Sequence, residues 1–370
     1  MVNKKIKILY TIPNFDTAGS GKVLYDLANG LDKDRFEVSI ACNNSNGAFF
    51  LTVKNLGLPI YFIDTTTSLK PYYNLFFRMQ PISSFIKKNQ FDIVHSWHWS
   101  SDWSEVIATR FAGATFVFTK KAMTWGNIHW KIKSYLADFI ITINEEMKNF
   151  FAYKKNQKLI PLGLDTNYYD PNLYPKRQET SDFKIITVAN LVAVKGIEIL
   201  IEAIHQLKNT NIHLEILGKN GIEIQEDGSE YNYYEVLQQL VSDLGMTDQV
   251  KFLGKKEDVR PFLAQSDLYV IPSKNEGMPM ALVEAMTMGL PVLGSNIAGI
   301  NFVLKDFATL HFEQGNVKDL SQKINFFYTQ SVSERTELGA KLREYCINNF
   351  SLQRFVKLHE DLYLQLVKNK

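Results

Sequence analysis

Short apolar runs alternate with longer stretches of helical period along nearly all of this chain, and few architectures accept that pattern. A short apolar run makes a strand buried on both faces, a helical stretch covers it, and repetition of the two gives parallel βαβ units. In the first half the strand candidates are Ile6 to Thr11, Phe36 to Cys42, Ile60 to Ile63, Asp92 to His95, Thr115 to Phe118 and Phe139 to Ile143. A turn-rich stretch, PLGLDTNYYDPNLYPKRQETSD, interrupts them with Pro161, Pro171 and Pro175 and reads as a linker. The alternation restarts at Ile185 to Ala189, Ile212 to Leu217, Val250 to Leu253, Leu268 to Ile271, Pro291 to Leu293 and Thr309 to Phe312. Two doubly wound α/β domains are expected: residues 1–165, a linker over 166–182, and residues 183–350. Asn316 to Val367 is helical by period, and residues 351–370 are read as a helix crossing back to the first domain.

A length of 370 residues fits two cores at roughly 150 residues each. Hydrophobic residues make up 45% of the chain, enough apolar material for both cores. A net charge of +2 supplies no global field to recruit nucleic acid, which is not expected as a partner. Lys4, Lys5 and Lys7 precede the apolar run from Ile8 to Ile12, but that run is too short for a signal-peptide core and is read as the first strand. No stretch approaches the about 18 consecutive apolar residues that span a bilayer. Cys42 and Cys346 lie far apart with no Cys or His at metal spacing, so neither a disulfide nor a zinc site is expected, and a reduced cytoplasmic setting is.

Open parallel sheets bind ligands beyond the carboxyl ends of their strands, and two facing domains of this kind would form a cleft, so chemistry is expected on the loops after strands. The strand LYVIP is followed by SKNEGMPMALVEAMTMGLPVLGS, in which Glu276 and Glu284 stand eight residues apart around Gly277 and Pro279. Proline favours the first helical turn, which places a helix from Pro279 to Met288 ending at Gly289. Glu276 then lies on the loop and Glu284 inside the helix. The N–H groups of Gly277, Met278 and Met280, with the positive end of the helix dipole, suit a diphosphate. A carboxylate one turn inside can accept two hydrogen bonds from a ribose diol, and one on the preceding loop can reach hydroxyls of an attached sugar. Taken singly, each glutamate is equally well an ordinary exposed one.

This segment resembles the donor-site signature of the retaining glycosyltransferases of family 4, which have the GT-B fold. VANLVAVKGIEILIEAI resembles their phosphate-binding lysine segment, KLIPLGLDTNYYDP their interdomain linker, and DFIITINEEMKNFF the last unit of their first domain. The resemblance implies a metal-independent transferase that moves a sugar from a nucleoside diphosphate, UDP in the first instance and GDP in the second, to a glycan or glycolipid acceptor, with retention and no cofactor. It implies that Glu276 contacts the transferred sugar and Glu284 the ribose, while Gly218 and Leu253 border the base. Lys195 is the cation for the leaving diphosphate, where charge develops and a fixed positive group is required. The family pairs this lysine with an arginine five residues earlier, and this chain has Asn190 there. Gly19 and Gly21, read as preceding a helix in TAGSGKVLYDLANGL, offer backbone N–H groups to the same diphosphate, although the family's glutamate is replaced by Gly21. GSGK is not a P-loop, because Asp16 and Val23 stand where that motif needs glycine and Ser or Thr. The Asp32-Lys33-Asp34 triplet reads as a polar turn rather than a metal site.

On the acceptor side, DIVHSWHWSSDW carries His95, His98 and Asp102. Two histidines three apart are a weak metal or triad signal, and His95 is read as lining the cleft. Where many relatives have a histidine after the next strand, this chain has Lys120 and Lys121. His95, Lys120 and Trp125 are the acceptor-binding candidates, with Trp97 a further stacking candidate. KKAMTWGNIHWKIK and SLKPYYNLFFRMQ mix cations with aromatics, which suits either peripheral contact of the first domain with an anionic membrane or plain burial. Two other classes share the architecture: a sugar-nucleotide epimerase or phosphorylase, and a nucleotide-sugar-binding subunit that has lost catalysis.

Overall fold

The computed structural model describes residues 4–16, 18–47, 49–175, 177, 180–225 and 228–368. The chain divides into two compact units, the first holding residues 1–163 together with 352–370 and the second holding 164–351.

The first unit is built on seven parallel strands: β1 (Ile6–Thr11), β2 (Phe36–Cys42), β3 (Ile60–Phe62), β4 (Ile93–Ser96), β5 (Thr115–Lys120), β6 (Phe139–Thr142) and β7 (Gln157–Leu159). Their order is β3-β2-β1-β4-β5-β6-β7, with Ile8 of β1 in register with Val38 on one side and Ile93 on the other. The central strands read as continuous apolar runs because helices cover both faces; Leu9, Val94, Phe116, Phe118 and Ile140 share one core with Met79, Ile82 and Ile86 of the Leu75–Lys88 helix. β7, with the sequence QKL, carries no apolar run and is an element that periodicity does not detect. The order reverses between β1 and β4, so the carboxyl ends of these two strands flank the crevice where such sheets bind ligands.

The last helix, Leu352–Lys368, completes this unit. It buries Phe355, Val356, His359, Leu362 and Tyr363, the spacing of one apolar helix face. Tyr363 meets the hydroxyl of Tyr10 on β1 at 3.2 Å. A Cβ at Gly30 would sit 2.6 Å from Val356, and one at Gly163 2.4 Å from Phe355, so glycine permits both approaches.

The second unit has β8 (Phe183–Val188), β9 (Ile212–Leu217), a hairpin of β10 (Ile222–Ile224) and β11 (Glu230–Asn232), then β12 (Val250–Gly254), β13 (Leu268–Ile271), β14 (Val292–Ser295) and β15 (His311–Phe312). The parallel order is β12-β9-β8-β13-β14-β15, which reverses between β8 and β13. The hairpin is not foreseen by the sequence reading, because each arm is three residues long and its apolar Ile222 and Ile224 are exposed. Residues 166–182, expected as a linker, group with this unit and are strapped to it where described. Arg343 donates to the Tyr169 carbonyl at 2.6 Å and pairs with Asp170 at 3.3 Å, and Asp170 caps a short turn at Pro171–Leu173. Both cysteines are buried and free, and burial pushes the Cys42 thiol up to about 11 and the Cys346 thiol up to about 12. Among the described residues no helix is long and apolar enough to cross a membrane.

The Met280–Thr287 helix ends at Gly289, whose φ of +71° favours glycine, and it crosses the Val332–Phe350 helix at Gly339. In an open helix interior alanine would be better than glycine by roughly 1 kcal/mol. A Cβ on Gly339, however, would lie 1.8 Å from the Gly289 carbonyl oxygen. Steric conflict therefore outweighs propensity, and Gly339→Ala is expected to lower stability by about 1–3 kcal/mol. The measurement is the urea midpoint, which should fall with an unchanged slope.

Candidate functional site

The loops that follow β8, β9, β12 and β13 bring the expected donor residues to one edge of the second sheet. Leaving β8, Ala189 donates to the Leu217 carbonyl and Leu191 to the Lys219 carbonyl, each at 2.9 Å, which laces this loop to the one after β9. Gly218 is required there, since a Cβ would fall 1.7 Å from the Ala189 carbonyl oxygen. Its N–H donates to Gly254, beside half-buried Leu253, at the end of β12. Asn190 is exposed on the same edge.

Lys195 closes a short turn, Ala193–Lys195, and Gly196 after it has a φ of +63°. A Cβ on Gly196 would meet the Pro272 carbonyl oxygen at 2.4 Å, so the loop after β8 touches the loop after β13. The Lys274 N–H donates to Val194 at 2.8 Å and joins the two loops again. From this position Lys195 Nζ reaches Glu276 Oε1 at 2.7 Å. The hydroxyl of buried Ser273 donates to the same oxygen at 2.8 Å, and Ser295 donates in turn to the Ser273 carbonyl. Both donors fall on Oε1, which leaves Oε2 for a ligand hydroxyl. The peptide of Glu276 is fixed from the other side, because a Cβ on Gly299 would sit 2.4 Å from the Glu276 carbonyl oxygen.

The helix after Glu276 begins at Met280 with Pro279 as its N-cap, one residue later than expected. Pro279 is extended there, with φ of −77° and ψ of 99°, and its carbonyl accepts from Leu282 and Val283. Gly277, Met278 and Pro279 form the approach to this first turn, whose leading N–H groups have no partner four residues back. Glu284 lies one turn on, half-buried, and accepts a hydrogen bond from Tyr169. Burial and then the Glu284 carboxylate hold the Tyr169 phenol well above its ordinary range, so it stays a donor. Tyr269, fully buried on β13, is likewise held well above the phenol range, by burial first and then by the charges of Glu284 and Glu276. Ser273, Tyr169 and Tyr269 are supporting residues that the sequence reading missed. Ser273 was discoverable from its spacing to Glu276; the tyrosines carry no local signal.

In the first unit Gly19 and Gly21 lie inside the first turn of the Ala18–Gly30 helix, not before it as expected. Gly19 faces open space, whereas Gly21 packs on Phe15, whose ring a Cβ would approach at 3.0 Å. The reading of His95 as lining a cleft is corrected. It is fully buried, its ring nitrogens engaged by Tyr363 at 2.6 Å and Thr119 at 2.7 Å, with His359 and Trp97 packed beside it. Burial, then the nearby His359 and Lys121, push its pKa well below the usual imidazole value. Asp102 accepts from the Ser104 N–H at 2.8 Å, just ahead of the Ser104–Phe111 helix, and its charge acts on His98 and Lys133. Trp125 stacks on Phe150 at 5.6 Å and meets Phe151 edge-on, so one face of its ring is already covered. Asp32 accepts from the Asp34 N–H at 2.8 Å, a turn within the Asp-Lys-Asp triplet.

Lys120 is buried, donates to the Thr124 carbonyl and lies 4.1 Å from the centroid of Trp130. Burial, then the charge of Lys133, lower its pKa to about 8. Lys121 donates to the Trp97 carbonyl and, at 3.0 Å, to Ser20 in the first turn of the Ala18–Gly30 helix. The same causes, in the same order, lower its pKa to about 7. Lys133 is fully buried, donates to the Ser100 carbonyl at 3.0 Å and faces Phe118 and Trp130. Beneath them Glu105, fully buried, accepts from Thr65 at 2.7 Å and Ser96 at 2.6 Å, with His98 at 3.9 Å. Burial raises the Glu105 pKa, but His98, Lys133 and the Ser96 hydroxyl outweigh it and keep the carboxylate below its ordinary range.

Two family models match the chain: one described as Glycosyl transferases group 1 over residues 173–349, the other as Glycosyltransferase Family 4 over residues 17–168. The chain is 25% identical over 382 residues to UDP-Gal:alpha-D-GlcNAc-diphosphoundecaprenol alpha-1,3-galactosyltransferase of Escherichia coli, covering 92% of each. It is 26% identical over 215 residues to N-acetyl-alpha-D-glucosaminyl L-malate synthase of Bacillus anthracis, with 55% of this chain and 53% of that protein aligned, so it spans about half of that relative. Among solved structures, a glycosyltransferase from Rickettsia africae has a TM-score of 0.86 at 20% identity, covering 99% of this chain and 100% of that one. Anabaena Alr3699/HepE in complex with UDP and glucose has a TM-score of 0.77 at 18% identity, covering 96% and 99%.

The Lys195–Glu276 pair is only 23% and 14% exposed, so solvent screens it incompletely. A double-mutant cycle of Lys195→Met and Glu276→Gln is expected to give a coupling of about 0.5–1 kcal/mol in urea unfolding. Strict additivity would show that the pair adds nothing to folding stability.

Proposed function

Because this chain belongs to the family 4 glycosyltransferases of GT-B fold, we propose that it transfers a sugar from a UDP-sugar to a hydroxyl of a glycan or glycolipid, with retention of configuration and without a metal or cofactor. The observation that carries the reading is the convergence of Lys195 and Ser273 on one oxygen of Glu276, just before the first turn of the Met280–Thr287 helix. A diphosphate beside Lys195 and the helix N-terminus would find a fixed cation and aimed N–H groups where charge grows as it departs. Glu276, with Oε2 unspent, orients the transferred sugar, and Glu284, held by Tyr169, takes the ribose diol. Asn190 donates hydrogen bonds without charge, so Lys195 and the helix terminus bear the stabilisation.

The bond from the anomeric carbon to the diphosphate breaks as the bond to the acceptor oxygen forms on the same face, through an oxocarbenium-like state. The acceptor proton passes to the departing phosphate oxygen, so no protein base is required. Support for UDP comes from the Anabaena neighbour bound to UDP and glucose. Support for a lipid-linked acceptor comes from the Escherichia coli relative, named for a diphosphoundecaprenol substrate. An exposed patch of Tyr72, Tyr73, Phe76, Phe77 and Phe111, with Lys70, Arg78 and Arg110 nearby in sequence, suits peripheral contact with an anionic membrane.

UDP at about 100 times its dissociation constant is expected to stabilise the protein by about 2.7 kcal/mol, read as a higher thermal midpoint, with ADP giving less. Glu276→Ala should keep that shift and lose transfer by about 10²–10³-fold. EDTA should leave the rate unchanged, and NMR of the product should show the donor's anomeric configuration. An inverted product, a chelator-sensitive rate or turnover of donor without acceptor into an epimer would each reject the reading.

A further inference from the structure

Within the second unit the segment from Tyr168 to Pro171 meets the Met280–Thr287 helix at three levels. The phenol of Tyr169, 6% exposed, donates to Glu284 one turn into the helix. Arg343 donates to the Tyr169 carbonyl at 2.6 Å and to the carbonyl of Thr287, so one guanidinium ties the residue that bears the phenol to the end of the helix that bears the carboxylate. Pro171 packs beside Gly289, 3.9 Å from where a Cβ on that glycine would stand. Tyr168 is pinned by a different arginine. Arg260 lies 3.3 Å from its ring centroid, donates to its carbonyl at 2.8 Å, and is itself held by both oxygens of Asp258 at 2.7 and 2.8 Å. Asp170 pairs with Arg343 at 3.3 Å, so three consecutive residues are each fixed by a guanidinium.

Filling space does not call for this arrangement. Phenylalanine would occupy nearly the same volume, and a buried hydroxyl costs free energy unless it is hydrogen-bonded. A glutamate on a helix surface samples several rotamers and turns to water when a ligand offers it nothing. Glu284 does so only by breaking its bond to Tyr169 and leaving a buried hydroxyl without a partner. The difference governs selectivity. An acceptor that turns away discriminates little against a ligand lacking one hydroxyl, whereas an acceptor held in place loses a hydrogen bond and regains no water for it.

We propose that the Tyr169 hydroxyl, presented by the Arg343 and Arg260 clamps, is a positioning group that makes Glu284 a filter for ribonucleotide donors and against 2′-deoxyribonucleotide sugars such as those of thymidine. The inference rests on the reading that Glu284 takes the donor's ribose diol. It adds the group that enforces that contact and the class of donor the contact excludes.

The test is calorimetric titration of the full chain with UDP and with 2′-deoxy-UDP. The wild-type chain is expected to bind UDP about 10- to 100-fold more tightly, the scale of one hydrogen bond to a charged group. Tyr169→Phe, which keeps the ring, should bring the two nucleotides within about threefold of each other, chiefly by weakening UDP. Glu284→Ala, which removes the acceptor itself, should bring the ratio to about one. A merely structural role for Tyr169 would lower the thermal midpoint and weaken both nucleotides by one factor, leaving the ratio where it was, and that result overturns the proposal. A ratio that survives Tyr169→Phe but is lost in Glu284→Ala rejects the role of Tyr169 and leaves the ribose reading standing. A wild-type chain that binds both nucleotides alike, or a ratio untouched by Glu284→Ala, rejects the ribose reading and the proposal with it.

Discussion

Two loops of the second unit, one after β8 and one after β13, lie so close that glycine alone fits between them, at position 196. That approach brings Lys195 to Glu276, and the rest of the donor edge is arranged around the pair. Ser273 loads the same carboxylate oxygen, Gly299 admits the Glu276 peptide, and Lys274 stitches the loops a second time. Partly exposed ion pairs add little to folding stability. In the proposed transfer its importance would be geometric: charge and hydrogen-bond donors are already fixed, so no reorganisation would be required as negative charge develops.

Most of the sheet skeleton was readable because buried parallel strands are continuous apolar runs. What escaped was short and polar, such as QKL in β7, or short and exposed, such as the arms of the β10–β11 hairpin. The donor edge was readable where its residues are contiguous, since a loop and the helix it opens carry Glu276 and Glu284 on one stretch of sequence. Tyr169 and Tyr269 were not, because each meets the glutamates through the fold and looks like any core aromatic in a linear reading. His95 was misplaced for the same reason. Its neighbours His359 and Tyr363 come from the far end of the chain, and no local pattern announces that they cover it.

The first unit departs further from ordinary composition rules. Lysine is rarely buried, yet Lys120 and Lys133 are 1% and 0% exposed. Their surroundings explain how this is tolerated. Tryptophan faces and backbone carbonyls replace part of the lost hydration, and the depressed pKa values of Lys120 and Lys121 show the remainder as a weakened hold on the proton. A cluster of this kind works against stability, which marks it as a place shaped by something other than folding.

The return of the last helix to the first unit has a consequence for biosynthesis. The hydroxyls of Tyr10 and Tyr363 meet across 353 residues of sequence. A ribosome needs on the order of tens of seconds to make that much chain. Throughout that interval β1 and β4 lack their final cover, and the whole second unit emerges and can fold first although it is encoded later. Truncation ahead of Tyr363 would therefore damage the unit at the opposite end of the polypeptide, uncovering Tyr10 and His95, while removing nothing from the second unit, which ends at Ser351.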